Sequence, residues 1–466
     1  MGSDLSKHIS TKETPQNQPI PDSSQETNNA GGYAWRADKW SQLRRFLILG
    51  TEGGTYYVSE KELTVRNAVK VRECIHEDGA RVLRETIEVS DQGIAPKNDY
   101  AVLVLAMLLS FANVEVRRKA ADAVPKICRT GTHLFTLVKD INNLRSWGRI
   151  IRRGISKWYN DKDINSLAYQ LTKYPSRGGW SHRDVLRLIH AVPKTINHQA
   201  LLKFAVKGYS EEMEEIADGY LDAVQVVSNP STSKNKVIEL LSTYRMPFEV
   251  LPDARRADRD ILAALMPNMP YTALMRNLNR LTIAGILSKD NFDEVNEAAD
   301  KLTDTDYIRK SRVHPLNIFV AAYTYDNGTG IRGKLNWQPV KKITDALNDA
   351  FFKAFKNIEP TGKRMLLALD VSGSMTSRNC SGLPITPALA SAALAVITAN
   401  VERNYSFVAF CDKIVPFDIS PKMSISEVSN KMYDMEFGAT DCSQPMIYAE
   451  KKKIELDSFI IYTDNE

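Results

Sequence analysis

The sequence predicts a multidomain chain: an all-α stack of helix pairs arranged like HEAT repeats over residues 35–360, then an α/β domain over residues 361–466. Three observations predict it. Apolar residues recur at three- and four-residue spacing from Trp35 to about Glu359. Beyond the turn Glu359-Pro360-Thr361-Gly362 the pattern becomes short apolar runs alternating with helical stretches. The first 34 residues, by contrast, hold hardly any large apolar side chain.

That N-terminal stretch, rich in Ser, Thr, Asn, Gln and Pro, cannot repay the entropy of ordering and is expected to be a disordered tail. Its first residues, Met1 to Lys7, fit the M-G-x-x-x-S pattern of N-myristoylation at Gly2, a short pattern that chance also produces. A single such chain would give only reversible membrane contact.

Within the repeat region, helices are expected at Ala101–Phe111, Val116–Cys128 and Ala200–Val206, and from Ile261–Ala264 running on through Tyr271–Leu281. Many antiparallel helices of this length suggest an α-solenoid with long curved surfaces, although no clean sequence repeat is present. In the α/β domain the strands are Met365–Val371, Ser406–Phe410 and Ser458–Thr463. The helices there are Pro387–Val401, Ser424–Met432 and Ser443–Lys452. This alternation implies a parallel sheet. The sequence stops at Glu466, straight after a strand, so the domain is expected to be incomplete at its C-terminus.

Composition excludes several classes. The longest apolar runs, Ala101–Val114 and Ala388–Val401, fall short of the roughly 20 residues that span a bilayer. Five scattered cysteines without a CxxC spacing argue against a disulfide framework and a zinc cluster, and fit a reducing, cytoplasmic setting, with the nucleus as a second location. The Asn-x-Ser/Thr matches at Asn327, Asn379 and Asn404 are then accidental. Net charge is +5, with −4 in residues 364–466 and −2 in residues 1–34, so the middle of the chain carries +11. Spread over more than 300 residues that excess is modest, and a polyanion would have to be met by a local patch.

Two basic stretches qualify. Asn142–Asn160 has no acidic residue, and taken as one helix it gathers Arg145, Arg149, Arg152 and Arg153 on one arc, opposite Trp147, Ile151, Ile155 and Trp158. A second helix begins at Ser181 with Asp184 completing a capping box. Arg183, Arg187 and His190 share one of its faces, away from Val185, Leu188, Ile189 and Val192. Lys173, Arg177 and Trp180 lie just upstream in a Gly-rich loop. Arginines at fixed spacing engage phosphates bidentately and neighbouring aromatics stack on unpaired bases. The same residues also suit a solvated face packed on the next repeat.

Asp370-Val371-Ser372-Gly373-Ser374 falls at the C-terminal end of the first strand, where open α/β sheets place their ligand crevice. Two later segments, Gly438–Asp441 and Thr463–Asn465, end near the same edge. Oxygen ligands with few carboxylates suit a hard divalent cation such as Mg²⁺. This D-x-S-x-S, with a Thr and a later Asp after strands, resembles the metal-ion-dependent adhesion site of von Willebrand A domains. The resemblance implies Asp370, Ser372, Ser374, Thr440 and Asp464 as ligands, and an open position that accepts a carboxylate from a protein partner.

Further stretches, among them Leu43–Leu47, Gly50–Tyr57, Thr132–Phe135, Gly179–His182, Met269–Leu274, Leu278, His314-Pro315 and Glu359–Arg364, resemble the Ro autoantigen (TROVE-domain) family from about residue 33 to the end. The resemblance implies a closed ring of HEAT-like helices joined to a von Willebrand A-like domain. It implies binding of small non-coding Y RNAs on the outer surface and of single-stranded 3′ ends of misfolded RNAs in the central hole. Lys173, Arg177 and His190 fall on family positions implicated in Y RNA binding; the Arg145, Arg149 and Arg152 wall comes from the residues themselves. A monomeric protein within a ribonucleoprotein is expected.

Other signals are set aside. Gly328–Gly333 matches G-x-G-x-x-G, but no helix opens after it, so it is read as a loop whose Arg332 and Lys334 could touch RNA. No Ser-His-Asp or paired-carboxylate arrangement follows from spacing, and the chain is not expected to be an enzyme. The competing reading is a protein-interaction scaffold using the helical ring and the adhesion-type metal site. A nuclease using Asp370 and Asp464 ranks third, because the ligand set is rich in serine.

Overall fold

The computed structural model describes residues 18–28, 31–50, 59–144, 147–330, 335–355, 360–377, 379–380, 383–415, 417, 419–420, 423, 425–435 and 438–464. The acylation pattern at Gly2, Arg145, the Thr51–Tyr57 motif, and Arg332 and Lys334 lie outside the described residues. The chain divides into two compact units, one of residues 42–50 and 67–354, the other of residues 1–41, 51–66 and 355–466. Among the described residues no helix is long and apolar enough to cross a membrane.

A hairpin of β1 (Gln25–Thr27) and β2 (Tyr33–Trp35) comes first, which corrects the expectation of a structureless stretch to residue 34. Its turn uses Gly31 at φ +83° and the Gly32 N–H, which donates to Asn28 Oδ1 at 2.9 Å. Glycine reaches that conformation without steric cost, so even a polar stretch can pair here.

Helices follow: α1 (Lys39–Leu49), α2 (Glu60–Gln92), α3 (Asp99–Phe111), α4 (Val114–Ile127), α5 (Gly131–Leu144), α6 (Arg149–Asn160) and α7 (Ile164–Lys173). After the hairpin β3 (Ser176–Arg177) and β4 (Trp180–Ser181) come α8 (His182–Ile189), α9 (Ile196–Lys207), α10 (Tyr220–Ser228), α11 (Lys234–Tyr244) and α12 (Arg259–Leu265). The run ends with α13 (Tyr271–Ile283), α14 (Phe292–Thr303), α15 (Thr305–Ser311), α16 (Pro315–Asp326) and α17 (Lys341–Ala354). The helix expected to run from Ile261 through Leu281 is broken into α12 and α13. Pro267 and Pro270 supply no N–H to continue it, and Pro270 instead serves as the N-cap of α13.

Packing follows the apolar pattern. Helix α3 is apolar nearly all round and buried from Ala101 to Ser110 except Leu103, as a central helix must be. Helices α4 and α6 approach so closely that a Cβ on Gly154 would sit 2.9 Å from both Cα and Cβ of Ala121. The run also closes on itself. Arg312 donates through Nε to Asp91 O (2.6 Å) and through Nη2 to Asp91 Oδ1 (2.9 Å), and Asn317 Nδ2 donates to Pro96 O (3.2 Å). The ring of helices implied by the family resemblance is the fold observed.

The second unit holds β5 (Met365–Asp370), α18 (Ser374–Ser377), α19 (Pro387–Val401), β6 (Tyr405–Phe410), β7 (Ile414–Val415), α20 (Ile425–Tyr433), α21 (Gln444–Lys452) and β8 (Ser458–Tyr462). Sheet order is β7-β6-β5-β8, with β5 parallel to both β6 and β8. The sheet is mixed rather than all parallel, because β7 turns straight back on β6 with Ala409 opposite Val415. Cys411 N–H donates to Lys413 O at 3.0 Å to close that tight turn, which the sequence reading did not separate from a loop. All six residues of β5 are buried, as the central strand of a sheet covered on both faces requires. Since β5 pairs with β6 on one side and β8 on the other, its C-terminal end is the switch point where the crevice opens.

Candidate nucleic-acid interface and metal centre

The Lys173–His190 stretch is held by local hydrogen bonds and anchored from beneath. Gly178 (φ +58°) and Gly179 (φ +84°) make a two-residue hairpin turn with positive φ at both positions, pairing Arg177 with Trp180. The expected capping box is present. Asp184 N–H donates to Ser181 Oγ (3.3 Å) and Ser181 N–H donates to Asp184 Oδ2 (3.0 Å). The Ser181 hydroxyl, as the leading cause, holds the Asp184 carboxyl below its ordinary range.

Below α8, His182 is buried against Phe135 (ring centroids 4.8 Å apart) and Trp158 (5.9 Å), and its Nδ1 is 2.9 Å from Tyr159 Oη. Burial pushes the His182 imidazole down to about 4, so it stays neutral and apolar in character near pH 7. With Val185, Leu186 and Ile189 also buried, the opposite face presents Arg183, Arg187 and His190, all exposed. Arg177 is exposed too. Lys173 is half-buried, its Nζ donating to Tyr169 Oη at 3.0 Å and lying 5.2 Å and 5.6 Å from the ring centres of Tyr169 and Tyr174. His190 ends α8 in the left-handed region (φ 51°), which a non-glycine residue adopts at a cost of about 1 kcal/mol.

The apolar side differs from expectation. Leu186 is buried and Leu188 only half-buried, while Val192 is 80% and Ile196 81% exposed. The loop carrying Val192 is clamped outward by Asn160, whose Nδ2 donates to Val192 O (3.0 Å) and whose Oδ1 accepts from Lys194 N–H (2.9 Å). No periodicity could signal this, because the clamp comes from another helix.

The single helix expected over Asn142–Asn160 is interrupted. Leu144 ends α5, Trp147 and Gly148 are not helical, and Gly148 caps α6 in an extended conformation. A glycine at that point carries the break. Arg149 and Arg153 are exposed, whereas Arg152 is half-buried and its Nε has no hydrogen-bond partner among the described residues. Ile151, Ile155 and Trp158 are buried as expected, with Trp158 Nε1 donating to Cys128 O at 2.5 Å.

The second site lies at the end of β5. Asp370 is fully buried; its Oδ1 accepts from Ser372 N–H (2.7 Å) and its Oδ2 from Thr463 Oγ1 (2.7 Å). Ser372 Oγ is 3.2 Å from Ser374 Oγ, which donates to Asp464 Oδ1 at 3.0 Å. Four of the five expected ligands are thus linked by hydrogen bonds. Thr440 is half-buried in a loop pinned to the end of β6 by Asp441 N–H donating to Cys411 O (3.0 Å), and no hydrogen bond joins it to the other four among the described residues. Asp441 accepts from Ser443 N–H (3.0 Å), Ser443 Oγ (2.6 Å) and Gln444 Nε2 (2.8 Å). Burial works to raise its pKa, but these bonds outweigh it and the net shift is downward.

No group of three or more His, Cys, Asp or Glu side chains gathers at one point among the described residues. The centre is therefore one buried carboxylate, a second carboxylate and hydroxyls. That donor set fits a hard divalent ion keeping some of its water, and fits a thiolate- or imidazole-preferring metal poorly. The segment Thr463–Asn465 was expected at this edge, but Thr463 was not singled out, because spacing alone does not show which residue of the segment meets Asp370 across 93 residues.

Residues 26–245 and 245–324 match the TROVE domain, and residues 364–466 match the Ro60 vWA domain. The chain belongs to the Ro60 family. It is 38% identical over 451 residues to the RNA-binding protein RO60 of Deinococcus radiodurans, an alignment covering 96% of this chain and 84% of that protein. To the RNA-binding protein RO60 of Caenorhabditis elegans it is 33% identical over 516 residues, covering 94% and 80%. The crystal structure of the Deinococcus radiodurans Ro (RSR) protein matches with a TM-score of 0.76 at 36% identity, covering 92% of this chain and 86% of that one. The Ro60 fold, helical unit and A-like unit together, is therefore the fold of this chain.

Proposed function

We propose that this chain is an RNA-binding ribonucleoprotein component. It holds small structured non-coding RNA of the Y type on the surface of Lys173, Arg177, Arg183, Arg187 and His190. It takes the single-stranded 3′ ends of misfolded RNAs, and so acts in RNA stability and quality control. The observation that carries the reading is the hairpin and capped helix of residues 176–190, which project Arg177, Arg183, Arg187 and His190 into solvent from a neutral aromatic footing. Relatives named RNA-binding proteins share most of the chain's length. Guanidinium groups fixed in this way meet phosphate oxygens bidentately at little entropic cost.

Asp370, Ser372, Ser374, Thr440 and Asp464 would hold a divalent cation of the Mg²⁺ class. Bound there, the ion supplies an open coordination position for a carboxylate of a protein partner. The protein's own part is to orient Asp370 through Ser372 N–H and Thr463 Oγ1, and to link the hydroxyls of Ser372 and Ser374 to one another and to Asp464. The role is binding rather than catalysis.

A filter-binding titration with a structured RNA bearing a 3′ single-stranded tail, at two salt concentrations, tests the proposal. Binding should weaken steeply with salt, each neutralised phosphate contributing about 0.7–0.9 to the slope of log K against log salt. Absence of binding at low salt would contradict it.

A further inference from the structure

A second basic feature is built by residues outside the Lys173–His190 stretch. Arg118 of α4 and Arg149 and Arg153 of α6 line one shallow cavity, floored by Ala121 and Ile150. Two features of the sequence build it. Gly154 lies on Ala121 with no room for a Cβ, so the two helices cross closely enough for arginines of both to share the space. Gly148 caps α6 and starts it at Arg149, so the first turn of a 12-residue helix, with the partial positive charge of its N-terminus, contributes Arg149 and Ile150 to the lining.

Two of the three guanidinium groups here have no acidic partner among the described residues. No ion pair involves Arg118 or Arg149 among the described residues, and no acidic side chain lines the cavity. Asp122, outside the lining, is shared between Arg153 (3.6 Å) and Lys157 (3.2 Å), and Arg153 is 67% exposed. Like charges collected around one hollow, with a positive helix end beside them, raise the free energy of the free protein, and an anion entering the hollow relieves it.

We propose that Arg118, Arg149 and Arg153 form a phosphate clamp that grips one or two phosphodiester groups of bound RNA, distinct from the Lys173–His190 surface. The clamp rests on the RNA-binding reading above. Three planar forks on two rigid helices suit the tetrahedral oxygens of a backbone phosphate, and the clamp carries no base specificity.

The test compares the parent chain with R118Q/R149Q/R153Q, with R118K/R149K/R153K, and with a control, K236Q/K310Q/K341Q, that removes equal charge elsewhere on the helical unit. Binding to the 3′-tailed RNA is followed across salt concentrations, with thermal unfolding to show that each variant is folded. The glutamine triple should lower the salt slope by about 1–2 and weaken low-salt binding roughly tenfold. The lysine triple should keep most of the slope, and the control should bind like the parent. An unchanged slope in the folded glutamine triple, or an equal loss in the control, would sink the clamp while leaving the RNA-binding reading in place. Failure of the parent chain to bind RNA at low salt would sink the reading itself, and the clamp with it.

Discussion

The basic surface of the helical unit and the oxygen cluster of the α/β unit are built in opposite ways. The surface comes from one continuous stretch, Lys173 to His190, whose local backbone is held by hydrogen bonds between near neighbours and whose Arg177, Arg183, Arg187 and His190 are exposed. The cluster draws on segments about 90 residues apart and centres on a carboxylate with no exposure at all. Removing one member of the surface leaves several charges in place. Removing Asp370 takes away the bonds that Ser372 N–H and Thr463 Oγ1 make to it. The surface should therefore govern affinity and salt dependence with little effect on folding, whereas the cluster should govern both ion binding and folding of its unit.

Acidification separates the two units most widely. Burial, as the leading cause, depresses His133, His182 and His314 of the helical unit to about 4 each, and residues 361–466 contain no histidine. These imidazoles are neutral in the fold and bind protons more readily when unfolded. Their contribution is full above about pH 6.5 and is lost as pH falls towards 4, on the order of 2 kcal/mol each by pH 5. Asp140, raised by burial to about 6, works the other way, because its protonated form is favoured in the fold as pH drops. Asp457 of the α/β unit, held down at about 2 by Arg364, releases its contribution only below pH 4. Calorimetry at pH 7 and pH 5 should show the helical transition falling by far the more; equal shifts would break the distinction.

Asp370→Ala should destabilise the α/β unit by on the order of 3 kcal/mol, since the buried Ser372 N–H loses its acceptor and the half-buried Thr463 hydroxyl loses its bond to Asp370. If the proposed cation site raises the unfolding temperature of the parent chain in Mg²⁺, the variant should lose that rise, while RNA affinity stays unchanged. A variant that melts like the parent would remove the structural half of the comparison. Gly154→Ala should destabilise the helical unit by about 1–3 kcal/mol even though alanine is the better helix former, because the added methyl meets the Ala121 backbone. A gain in stability would show that α4 and α6 can separate freely. The smallest effect belongs to Arg187→Gln, which should weaken RNA binding about three- to tenfold with no change in unfolding temperature.

The contrast also explains what could be read in advance. The capping box at Ser181, the exposed face of Arg183, Arg187 and His190, and the strand ending in Asp370 are local patterns, and all are present in the fold. The break at Gly148, the outward clamp on Val192 by Asn160 and the bond from Thr463 to Asp370 depend on contacts or chain reversals that helical periodicity does not encode. Arg118 went unnoticed for the same reason, since only the crossing of α4 and α6 brings it beside Arg149. Arg152 shows the converse error: a favourable helical angle placed it on the surface, but its Nε is buried.

The most direct test of the central claim is the affinity of the charge-reversed variant R177E/H190E for a structured RNA with a 3′ tail, measured at low salt beside its unfolding temperature. Binding should fall by at least about a hundredfold while the unfolding temperature stays that of the parent, since both side chains are exposed. Parent-like RNA binding by a folded R177E/H190E protein would contradict the account.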